Sequence, residues 1–83
     1  MTHKELSEKY LRMAARSSHP SQCLWHGAWS IAASIVRRSP WHAAAVRLDK
    51  HAERYKNMAI ASVFRNAAEE VREIIVNRMA GVK

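Results

Sequence analysis

Apolar positions recur at helical intervals along almost the whole 83-residue chain. Leu6, Tyr10, Met13 and Ala14 follow one another at steps of three and four, which stack on one face of a helix of 3.6 residues per turn. Thr2 and Glu5 precede them at the spacing of a capping box, in which each side chain accepts a hydrogen bond from the other residue's backbone N–H. The pattern predicts a first helix over about 3–16, closed by Ser17, Ser18, His19 and Pro20. A second begins near Ser21, and Leu24, Trp25, Ala28, Trp29, Ala32, Ile35 and Val36 give it a broad apolar face over about 22–37. Gly27 either costs that helix about 1 kcal/mol relative to alanine or permits a close helix contact. Ser39 is a suitable N-cap and Pro40 suits a first helical turn, so a third helix starts there.

From Trp41 to Ala80 there is neither glycine nor proline. Trp41, Ala45, Leu48, Ala52, Tyr55, Ala59, Val63, Ala67, Val71 and Ile74 trace one apolar line, and Trp41, Ala52, Val63 and Ile74 recur every eleven residues. That period keeps a seam on one side of a nearly straight helix. The expectation is one long helix over about 40–80, with a break near Asn57 as the alternative. Gly81 is a natural stop, and Arg78 and Lys83 suit the negative end of the helix dipole. A 40-residue helix spans roughly 60 Å, more than two short helices can cover. Ile60, Val63, Phe64, Ala67, Val71, Ile74, Ile75 and Met79 would then form an open apolar surface. Two arrangements satisfy it: a homodimer or other protein partner covers the surface, with Ile60 through Ile75 as the oligomer interface, or the helix folds back as a fourth.

Composition agrees with an all-α bundle in a single domain spanning 1–83. Hydrophobic types make up 48% of the chain but aromatic ones only 7%, so alanine and a few large anchors must do the packing. Among those anchors, Trp25, Trp29 and Trp41 read as core residues, with an exposed interface anchor as the alternative for one of them. The lone Cys23 has no partner for an intramolecular disulfide, and charges in Met1 to Leu11 interrupt any signal peptide. With no apolar run long enough to cross a bilayer, a cytoplasmic location without membrane contact is expected.

The net charge of +7 is distributed unevenly. Arg37, Arg38, Arg47, Lys50, Arg54 and Lys56 outnumber Asp49 and Glu53 between positions 37 and 56, and Arg47, Lys50 and Arg54 share a helical face. Such a row docks on an acidic protein or pairs with phosphates, unless acids in its own helix neutralise it. The acids Glu69, Glu70 and Glu73 make the C-terminal part a poor phosphate binder. Direct operator reading would require a short recognition helix after Pro40, but bulky Trp41 and the run Ala43 to Ala45 occupy its front.

No catalytic centre or cofactor site is expected. Cys23 and His26 stand at i, i+3, but two ligands do not complete a zinc site, and His19 and His42 add no second close pair. Cys23 with a histidine base also lacks any glycine-rich oxyanion or phosphate loop.

Tyr10, Met13, Ala14 and Ala15, then Trp29, Ala32 and Ala33, then Trp41 and Arg47 together resemble the ANR family of small regulators of enteric bacteria and their phages, and the related PerC-like activators. Those have a Tyr-x-x-Leu-Ala start, a Trp-x-x-Ala helix and a later Trp followed by Arg. The resemblance covers about residues 6–51. The chain departs from the pattern where a Gly-aromatic turn is expected, in the Trp41 to Arg47 spacing, and in having His51 where a cysteine often stands. The resemblance implies a protein that binds other regulators or nucleoid-associated proteins and so alters gene expression. A phage inhibitor of a host defence or replication enzyme and a non-specific nucleic-acid binder are the alternatives.

Overall fold

The computed structural model describes residues 2–16 and 23–81, with side chains for 2–16 and 26–79. The side chains of Cys23, Leu24 and Trp25, and all of His19 and Pro20, therefore lie outside the described residues. The described chain is a small bundle of four helices without strands: α1 (His3–Arg16), α2 (Cys23–Arg38), α3 (Trp41–Arg54) and α4 (Met58–Gly81).

α1 starts as the sequence predicts. The Glu5 backbone N–H donates to Thr2 Oγ1 (3.1 Å) and the Thr2 N–H donates to Glu5 Oε1 (3.3 Å), which completes the capping box. Its face Leu6, Tyr10 and Ala14 is buried against α2. Two histidines lace that hairpin. A carbonyl only accepts, so in each case the ring Nδ1 donates: His3 to Val36 O (3.0 Å) and His26 to Ala14 O (2.9 Å). Both acceptors lie in the last turn of a helix, where carbonyls have no intrahelical donor. α1 and α2 thus run in opposite senses, each supplying the ring that caps the other. Gly27 does not mark a close approach, because a Cβ built there meets nothing within 4 Å.

Two predicted features are corrected. Ser39 does not cap α3; Pro40 stands at the N-cap with an extended backbone (φ −57°, ψ 154°) and the cap makes no side-chain hydrogen bond. Ser39 is buried instead, and its Oγ accepts from Arg47 Nη1 at 2.6 Å. The predicted helix over 40–80 is two helices. Tyr55 adopts an extended conformation (φ −104°, ψ 126°) that ends α3. Asn57 then caps α4, its Oδ1 accepting from the N–H groups of Ala59 (2.9 Å) and Ile60 (3.4 Å). Turning the chain there lets the Tyr55 ring lie parallel to Phe64 at 5.4 Å, with His51 on the same ring at 5.4 Å.

The fold-back also corrects the oligomer interface. Ile60, Val63, Phe64, Ala67 and Val71 are buried inside a single chain, and Ile74 and Ile75 are partly buried against the same core. α3 covers the face that a straight helix would have exposed. Ten of the core side chains are alanines, among them Ala32, Ala44, Ala61 and Ala68, so the helices approach closely around Tyr10, Phe64, Leu6 and Leu48. Of the predicted tryptophan anchors, Trp29 and Trp41 are both buried, which settles them as core.

Candidate partner-binding surface

The polar surface is organised by two inter-helix clusters. Tyr10 Oη donates to Glu70 Oε1 (2.8 Å) while Lys9 Nζ pairs with Glu70 Oε2, joining α1 to α4. Burial, and then the Glu70 carboxylate beside it, push the Tyr10 phenol well above its ordinary range. Eight residues further along α4, the Arg78 guanidinium lies 5.8 Å over the Trp41 ring, and His3 stacks on that ring at 3.8 Å and 14°. His3 and Tyr10 of α1 thus meet Arg78 and Glu70 of α4 in reverse order, so these helices are antiparallel. The Trp41 Nε1–H is buried without an acceptor.

The second ion pair, Arg72 with Asp49, ties α4 to α3. Its consequence falls on the basic row. Asp49 is an acid of the α3 segment that the sequence offers as an internal neutraliser, and Arg72 draws it across to α4. Arg37, Arg38, Arg47, Lys50 and Arg54 are all exposed. Arg47 reaches back to Ser39 at the α2–α3 junction, which places it beside the end of α2 that carries Arg37 and Arg38. Among the described residues, none of the five forms an ion pair. Sequence position alone suggests the row, and the structure brings it onto one continuous surface from the C-terminal turn of α2 along α3.

Two features of the surface carry no strong sequence signal. His3 and His26 serve as helix caps, visible only once α1 and α2 are paired. An open groove lined by Glu69, Arg72, Glu73, Val76 and Asn77 runs along the outer face of α4, where exposed Val76 sits among charged residues.

As for other chemistry, among the described residues no three His, Cys, Asp or Glu side chains converge as metal ligands. No described helix is long and apolar enough to cross a membrane. Neither a protein-family model, nor a curated protein, nor a solved structure matches this chain.

Proposed function

We propose that this chain is a non-catalytic helical binding module that modulates bacterial or phage gene expression by docking on another regulator or a nucleoid-associated protein. The observation that carries this reading is the exposed row Arg37, Arg38, Arg47, Lys50 and Arg54, left without ion pairs because Asp49 is engaged by Arg72. An unpaired cationic row on a rigid helical scaffold attracts a partner of opposite charge and suppresses wrong ones. The resemblance over residues 6–51 supplies the regulatory context.

Affinity capture with the tagged full chain from nuclease-treated bacterial lysate tests the reading. A transcription regulator or nucleoid-associated protein should be retained by the native chain and lost with Arg38→Glu/Arg47→Glu. Capture of such a protein that is indifferent to these substitutions would remove the basic row from the function.

The same unpaired row favours one further reading, non-specific binding of nucleic acid. It predicts retention that disappears with nuclease and falls steeply as salt rises, because each neutralised phosphate releases a counterion. Binding that survives both treatments sinks it.

A further inference from the structure

The outer faces of α3 and α4 are oppositely charged, and their spacing matches. On α3, Val46, Lys50 and Arg54 repeat at intervals of four and are exposed. On α4, Glu69, Glu73 and Val76 repeat at four and three, are exposed, and line the groove described above. The Asp49–Arg72 pair lies at the seam between the two faces and sets their level. Moving one turn from Asp49 towards the start of α3 reaches Val46, and one turn from Arg72 towards the end of α4 reaches Val76. The two exposed valines, 54% and 61% accessible, therefore lie at the same height on neighbouring antiparallel helices. Neither valine helps to fill the core, and Glu69 and Glu73 repel each other across one turn with no cation paired to them among the described residues.

We propose that this bipolar α3–α4 face binds a second copy of the same chain as a two-fold dimer. A two-fold axis parallel to the helices and above the seam lays α3 of the second copy on α4 of the first, antiparallel and at the same height. Val46 then meets Val76, Lys50 meets Glu73 and Arg54 meets Glu69, and the symmetry makes each contact twice. The remaining charges on the two faces, Glu53 and Arg65, are again of opposite sign and fall towards the Arg54 end. The occupant is a second copy because this chain itself carries both the charge sequence the groove requires and the groove that this charge sequence requires.

The contact stands independently of the function proposed above, and it divides the basic row. Arg47 lies about 160° around α3 from Asp49, two residues at 100° each, and so points away from the seam. Arg37, Arg38 and Arg47 remain outside the contact, and the dimer presents that cluster twice for another partner.

Light scattering on a sizing column, over a dilution series of the purified full chain, tests the dimer. The expected mass is twice the chain's 9.5 kDa, falling to the single-chain value on dilution and in high salt. Lys50→Glu/Arg54→Glu makes both faces acidic and Glu69→Lys/Glu73→Lys makes both basic, so each alone should be monomeric with unchanged helical circular dichroism. Mixed together, the two variants should restore the doubled mass, because each then offers the other two complementary faces. A native chain that stays monomeric throughout, a dimer that persists in both variants, or a mixture that does not recover overturns the proposal. Arg38→Glu/Arg47→Glu leaves the mass unchanged, so loss of another partner and loss of the dimer are read separately.

Discussion

Tyr10 shows how one side chain in this bundle couples packing to protonation. Its ring is buried against Trp29 at 5.1 Å, while its hydroxyl donates to Glu70. Both burial and the carboxylate favour the neutral phenol, so its proton is lost at higher pH in the folded chain than in the unfolded one. The sign follows by linkage. Below the ordinary tyrosine pKa of about 10 both states hold the proton, and the Tyr10 contribution to stability is fully present. Above it the unfolded state releases the proton first, and stability falls as pH rises. Urea unfolding followed from pH 8 to 11 should show this alkaline loss, and Tyr10→Phe should reduce its slope. At neutral pH the same substitution leaves Glu70 without its phenol donor and should cost about 1–2 kcal/mol in the same assay. A slope unchanged by Tyr10→Phe would assign the alkaline loss to other groups.

At the scale of elements, the decisive residue is Asn57, because it converts one long apolar seam into two antiparallel helices. No glycine or proline marks the break. The seam from Trp41 to Ile74 runs through it without a gap, since two helices packed on each other can present the same spacing of apolar residues as one continuous helix. The local signal is the capacity of asparagine to accept from the first free N–H groups of α4, which stabilises a start there. Asn57→Ala should lower stability by about 1 kcal/mol in thermal unfolding without changing the fold. If stability is unchanged, the turn is held by the Tyr55–Phe64 stack alone. α1 presents the opposite case: its capping box and apolar face are both local, and both are realised where the sequence places them.

In the whole molecule, the fold-back decides which surfaces are available. It takes Ile60, Val63, Phe64, Ala67 and Val71 inside and leaves the α3–α4 exterior with its two signs of charge. Phe64 distinguishes the two placements of that apolar face. As a fully buried side chain against Tyr55 and His51, it predicts that Phe64→Ala costs the single chain about 3–5 kcal/mol, enough to unfold much of a domain this small. Chemical denaturation at a concentration low enough to keep the chain monomeric would measure it. A stably folded Phe64→Ala monomer would return this residue to an interface role.

The helical class, the extent of α1 and α2, the alanine-rich core and the exposed basic row were all legible in the sequence, because each rests on local periodicity, capping or composition. Partner choice among helices was not. Whether α4 covers α3 or continues away from it depends on contacts between residues such as Tyr55 and Phe64, and on long-range pairs such as Arg72 with Asp49. The basic residues could be listed from sequence, but their lack of ion pairs followed only from where Asp49 was drawn. Spacing along a chain determines which face of a helix is apolar, and only the packed structure determines what that face meets.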